Sequence, residues 1–296
     1  MNQIPQRQNE DRFLQLLAAQ RQLYDEEKKG MTIWTGIATA LAILGTGAIA
    51  IMQPFTPLLT WITLMVVVGE FAVVPSIMNR RKNAAKIQEI FDCELLDIEW
   101  NQVLAGSKPE PEVILSAAQK FREHRNPDEW EKLKDWYSPT VGNLPLPKAR
   151  IACQKENIWW DSRLRRAYAR WVFLVTGIVF FAIITIGIGT KWTLAQFFQG
   201  PLLLTLPALA LGLKHGYDHY KSANRLDELK RVVDELWKDV SRETVSHEVL
   251  AQRTRQLQDE IFRHRSENPP VFSWFYKKLQ KRFEQAAGMV VNEPVS

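Results

Sequence analysis

The sequence predicts an all-α membrane protein: two transmembrane helical hairpins, four spans in all, with a mostly helical cytoplasmic domain. Three observations carry this. The apolar residues of the 296-residue chain are gathered in four blocks separated by charge-rich sequence. Each block reaches the roughly 20 residues that a helix needs to cross about 30 Å of hydrocarbon. Lysine and arginine crowd the outer ends of the blocks and are nearly absent from the turns within each pair.

The first block runs from Met31 to Met52 without a charge, and the second from Phe55 to Met78 with one, Glu70. The third runs from Trp171 to Thr190. The fourth, Thr193 to Gly212, is interrupted by Gln196, Gln199, Pro201 and Pro207. Prolines are tolerated in membrane helices when neighbours satisfy the freed carbonyls. Only Gln53 and Pro54 separate the first pair, and Lys191 and Trp192 the second, so each pair must be antiparallel.

Orientation follows from charge. Arg21, Lys28 and Lys29 precede the first span, and Arg80, Arg81, Lys82 and Lys86 follow the second. Arg163, Arg165, Arg166 and Arg170 lead into the third span, and Lys214, Lys221 and Arg225 follow the fourth. Positive flanks stay in the cytoplasm, which places both termini and the central segment there. The expected layout is 1–30 cytoplasmic, 31–78 hairpin, 79–170 cytoplasmic, 171–212 hairpin and 213–296 cytoplasmic.

Residues 1–30 read as an amphipathic helix through Phe13, Leu16, Leu17, Gln20 and Tyr24, with Lys28 and Lys29 complementing its dipole and the lipid surface. Ile87, Phe91, Leu95 and Ile98 fit another helix. Leu96, Ile98 and Trp100 also alternate as a strand would. A break at AGSKPEP precedes a helix from near Glu112, and WYSPTVGNLPLP reads as a loop. Leu226, Leu229, Val233, Leu236 and Val240 form a short heptad-like seam. The pattern breaks at Ser241–Ser246, resumes through Leu250, Leu257 and Ile261, and ends at Asn268-Pro269-Pro270. The final basic-aromatic VFSWFYKKLQKRFEQ is read either along the membrane surface or against the cytoplasmic domain.

Catalysis has no foothold here: there is no GxSxG, HExxH, Walker loop or GxGxxG, and no catalytic residue or cofactor is expected. Cys93 and Cys153 lack a CxxC or Cys/His context, so they read as reduced thiols and no metal site is expected. The N-terminus shows no apolar core and cleavage site of a signal peptide.

Several strings, in order around the hairpins, carry a resemblance: RQNEDRFLQLLAAQRQLY, IQEIFDCELLDIEWN, DWYSP and ARIACQKENIWWDSRLRRAY. From about Gln6 to Tyr168 the chain resembles the SMODS-associated four-transmembrane effectors of bacterial cyclic-oligonucleotide antiphage signalling. The CQxxNxxWDxxLRR string is the most distinctive. Ile98-Glu99 stands where the family has a proline before the tryptophan, so nothing is carried over to that turn. The resemblance implies a pore-forming effector of the bacterial inner membrane, encoded beside a nucleotidyltransferase. A cyclic di- or trinucleotide made on phage infection would activate it, and the cell would die or arrest. The implied partners are the lipid bilayer, the second messenger and further copies of the chain, with no nucleic-acid polymer.

The residues offer candidates for both tasks. Glu70 lies roughly 12 Å along the helix from Met78 at 1.5 Å per residue, a depth where an ionisable group is costly unless it faces protein or water. It either lines a conduction path, or pairs with Gln196 or Gln199, or is a structural carboxyl. Gly36 with Ala40, Ala38 with Ala42, Gly45, and Gly187 with Gly189 suit close helix approach in an oligomer. For the trigger, Trp159, Arg163, Arg166 and Arg170 share one helix face, where guanidiniums grip phosphates and an indole stacks on a base. The alternative is that Arg166 and Arg170 meet lipid headgroups. Asp161 and Arg165, one turn apart, pair with each other. Tyr137, Gln154 and Asn157 either hydrogen-bond a ligand or belong to the core. Phe91, Trp100 and Trp136 read as core aromatics. His215 and His219 stand one turn apart with no third ligand near. The competing function is a constitutive membrane scaffold or sensor that recruits partners through its cytoplasmic helices, the seam from Leu226 to Val240 being its favouring feature.

Overall fold

The computed structural model describes residues 2–51, 56–189, 193–198, 203–242, 245–276 and 278–279. Among these the regular structure is entirely helical. Four helices are long: α2 (Asp11–Ile51), α3 (Thr56–Leu96), α7 (Leu146–Gly189) and α9 (Leu203–Ser241). Each has about twice the residues a bilayer crossing needs, and each joins a charged segment to an apolar one, the apolar part of α9 being the shortest. Shorter helices among the described residues are α1 (Ile4–Arg7), α4 (Gln102–Ala105), α5 (Pro111–His124), α6 (Pro127–Glu131), a 3-10 turn at Pro139–Asn143, α8 (Leu194–Phe197) and α10 (His247–Glu267). The turn at Gln53-Pro54 and the Lys191-Trp192 pair lie outside the described residues.

The chain divides into two units, one of residues 1–26, 80–165 and 222–296, the other of 27–79 and 166–221. The first has a conventional core. Phe13 and Leu17 of α2, Ile87 and Phe91 of α3, Phe121 of α5 and Ala152 and Cys153 of α7 close around one cluster. Phe91 is its centre, edge-on to Phe13 and Trp136 and stacked on Tyr137. A second cluster joins Ile151 and Ile158 of α7 to Leu226, Leu229, Val233, Leu236 and Val240 of α9 and to Leu250, Leu257 and Ile261 of α10. The heptad-like seam is therefore filled from within the chain.

The second unit is built the other way round. Apart from Val103, Leu115, Val232, Val249 and Trp274, every exposed large apolar side chain described belongs to it, with Phe71 79% and Ile188 74% exposed. Soluble monomers do not present apolar surface on that scale. Helix α7 alone, among the described residues, is both long and apolar enough to cross a membrane; parts of the other three apolar blocks have side chains outside the description. Within this unit Gly69 lets the Trp34 ring approach its backbone, and Gly212 does the same for Thr176. A Cβ on Gly36 or Gly189 would meet nothing within 4 Å.

Three local expectations need correcting. The amphipathic helix expected within residues 1–30 does not end there: α2 runs unbroken through Gly30 to Ile51. Leu14, Ala18, Ala19 and Leu23 are buried along with Phe13, Leu16, Leu17 and Gln20, so that segment is core on most sides. Lys28 and Lys29 accordingly sit within the helix and complement no terminus. The alternation at Leu96, Ile98 and Trp100 is a helix end, not a strand. Asp97 takes φ 53°, and Ile98 N–H folds back to the Cys93 carbonyl at 2.9 Å. Arg150 then donates to the orphaned carbonyls of Leu96 and Asp97 at 2.5 and 2.6 Å, doing from α7 what a C-cap does.

Candidate functional site: a buried polar junction

At the meeting of α3, α7, α10 and the segment before the 3-10 turn, polar side chains interlock inside the first unit. Glu89 and Asp92, on α3, are 1% and 0% exposed. Such carboxylates are tolerated only when paired and hydrogen-bonded. Asp92 accepts from the Tyr137 hydroxyl at 2.6 Å, Gln258 at 3.0 Å and Arg265 at 2.6 Å. Glu89 accepts from Arg255 at 2.7 Å and Gln258 at 2.8 Å. Burial pushes the Glu89 carboxyl up, Arg255 opposes that, and the neighbouring Asp92 charge adds to it. Burial also raises the Tyr137 hydroxyl, with the Asp92 charge adding to it, so Tyr137 stays a donor. Cys93 lies against Glu89 and beneath Arg255, 3.3 Å from each; burial and then Glu89 hold it as a thiol.

Three residues flagged in the sequence meet here. Tyr137 is buried, Asn157 donates to its hydroxyl at 2.7 Å, and Gln154 reaches Gln258 at 3.1 Å and the Thr254 carbonyl at 2.8 Å. Tyr137 is fixed from the N-terminal side too: the Gln8 amide pairs with both its N–H (2.8 Å) and its carbonyl (3.0 Å). Beside it, burial raises Glu156 to about 7 against a hydrogen bond from Ser138 N–H at 3.3 Å.

The arginine-tryptophan face is distributed differently. Trp159 is buried, with the exposed Arg163 guanidinium 5.7 Å over its ring. Arg166 lies over Tyr220 at 5.8 Å in the second unit, where Arg170 is exposed. Asp161 and Arg165 do pair, at 2.9 Å, and Asp161 also meets His264 at 2.7 Å. Burial alone would raise Asp161, yet Arg165 and His264 hold it well below the carboxylate range. Burial and then Arg165 lower His264, so its neutral ring donates from Nε2 to Asp161 and accepts at Nδ1 from Asn268 at 3.3 Å. The Tyr168 hydroxyl and His215 Nε2 lie 3.1 Å apart, with the Tyr168 and His219 rings edge to face.

The intramembrane candidates are placed only by element. Glu70 falls in α3 and Gln196 in α8, their side chains outside the description, and Gln199 lies outside the described residues. Sequence reasoning missed Glu89, Asp92, Arg255, Gln258 and Arg265. The available signal was polar residues recurring on apolar helix faces, as Gln258 does between Leu257 and Ile261.

No solved structure matches the chain. A curated relative, "Probable CBASS effector molecule" of Bacillus cereus (strain VD146), is 25% identical over 289 residues, covering 95% of this chain and 94% of its own length. The sequence profile described as the SMODS-associating 4TM effector domain matches residues 2–293. That match spans nearly the whole chain, and the chain belongs to this effector family.

Proposed function

We propose that the chain is an antiphage effector of the bacterial inner membrane. A cyclic di- or trinucleotide binds its cytoplasmic unit, copies assemble, and the bilayer becomes permeable, so that the infected cell dies or arrests. The observation that carries this reading is the segregation of exposed apolar side chains into one unit while the other holds a closed core. The relative's description as a CBASS effector and the family match support the defence role.

In this reading all four apolar blocks cross the membrane: α2 and α3, at 41 residues each, have length to spare, and α9 carries the fourth block from Leu203 onward. An even number of spans and the positive flanks leave both termini in the cytoplasm. Glu70, Gln196 and Gln199 supply polar groups at depth, and the conducting path lies between protomers. Arg163, exposed on the cytoplasmic unit, is the leading phosphate contact. The scaffold alternative loses the feature that favoured it, because the Leu226–Val240 seam is already occupied by α7 and α10.

The test is membrane potential in cells producing the chain with an active cyclic-nucleotide synthase or its inactive variant. Depolarisation confined to the active pair is expected. A sustained potential while the nucleotide accumulates and the chain is present in the membrane would overturn the reading.

A further inference from the structure

Helix α10 attaches to the rest of its unit through apolar and polar contacts, and its Phe262 packs on Ala85 of α3 and Ala105 of α4. Its apolar face, Leu250, Leu257 and Ile261, packs with α9 and with Ile151 and Ile158, not into the core around Phe91 and Cys153. Its polar face supplies the counter-charges of α3: Arg255 for Glu89, Arg265 for Asp92, and Gln258 for both. The same helix holds α7 through the Thr254 carbonyl, which accepts from Gln154, and through His264 on Asp161. Just beyond its end, the Pro269 carbonyl accepts from Arg165 at 2.8 Å.

So α10 bridges α3 and α7, and each of those continues as one unbroken helix into an apolar block. A buried charge junction has two good states: all partners joined, or all hydrated. Half-joined arrangements strand a carboxylate in the core. Such an attachment is bistable rather than gradually loosened. We propose that α10 is a releasable latch: docked, it grips α3 and α7 and keeps the chain at rest; undocked, it uncovers Glu89, Asp92 and Cys93 of α3 and releases Gln154 and Asp161 of α7, while the Phe91 core that also joins the two helices stays closed. The consequence for membrane permeability rests on the effector reading above; the docking equilibrium itself does not.

The native cysteines read the latch directly. Cys93 lies beneath Arg255 of α10, whereas Cys153 is sealed in the Phe91 core. The experiment is maleimide labelling of the full chain in liposomes, with each thiol followed by mass spectrometry, in wild type, Arg265→Leu and Asp92→Asn/Arg265→Leu. Arg265→Leu leaves Asp92 buried without its cation, so Cys93 should label about tenfold faster or more, with Cys153 unchanged. The double variant removes the stranded charge and should return Cys93 toward the wild-type rate. An unchanged Cys93 rate in Arg265→Leu would overturn the latch. So would Cys93 and Cys153 becoming reactive together, because that is global unfolding. Leakage of the same liposomes with cyclic nucleotide is scored separately: Cys93 exposure without any permeability supports the latch and counts against the effector reading.

Discussion

Asn157 donates its side-chain amide to the Tyr137 hydroxyl at 2.7 Å, and that hydroxyl donates in turn to the buried Asp92 at 2.6 Å. One phenol thereby ties α7 to α3. Tyr137→Phe should cost about 1–2 kcal/mol, the range for removing one partner of a buried hydrogen-bonded group. Asp92 keeps Gln258 and Arg265, so the loss stays moderate. Thermal unfolding of the detergent-solubilised protein checks it, and the double variant with Asn157→Leu should lose less than the sum of the two single changes.

Gln8 should matter more than its place near the N-terminus suggests. Its amide satisfies both main-chain groups of Tyr137 inside the core, and Gln8→Ala leaves both without those partners. A loss of about 2 kcal/mol is expected. Asn9→Ala, which breaks exposed contacts to Asp135, should cost less than half as much in the same unfolding assay.

Glu156 gives the fold a pH signature. Its folded pKa is about 7 against an ordinary 4.5, so the native state holds a proton that the unfolded chain has released. Stability from this group is present below about pH 4.5 and is lost as pH rises toward 7. Glu156→Gln should gain about 3 kcal/mol over wild type at pH 8 and nothing at pH 4. Unfolding midpoints compared across pH 4–8 measure that difference, and a gain independent of pH would contradict it.

In the apolar unit, Gly69 and Gly36 should behave oppositely. A methyl on Gly69 would run into the Trp34 ring, whereas one on Gly36 meets open space. Gly69→Ala should destabilise by about 1–3 kcal/mol, as overpacking does, and Gly36→Ala should leave the monomer's stability unchanged within error. Resistance to SDS-induced unfolding in mixed micelles separates them.

The long helices were legible because period and length act locally. The apolar run from Trp171 to Thr190 follows the charged run before it without a glycine or proline between them, and α7 spans both from Leu146 to Gly189. The stop at Asn268-Pro269-Pro270 was legible for the same reason, since proline disfavours helix in the residue before it. The N-terminal helix was legible in the face of Phe13, Leu16 and Leu17, whereas the burial of Leu14, Ala18 and Ala19 as well comes only from tertiary packing. Within the candidate site, Tyr137, Gln154 and Asn157 were legible as groups that either hydrogen-bond a ligand or belong to the core, and they lie in the strings DWYSP and ARIACQKENIWWDSRLRRAY. Their partners Asp92, Gln258 and Arg265 were not, because each looks like an ordinary solvated position until α10 folds onto α3. Arg163 was visible from sequence, but the burial of Trp159 beneath it was not.

The most direct test of the effector account is dye release from liposomes carrying the purified chain, titrated with a panel of cyclic di- and trinucleotides. The account predicts release with one nucleotide and silence with its close relatives. Silence across the panel from folded, correctly oriented protein that binds one of them would contradict it.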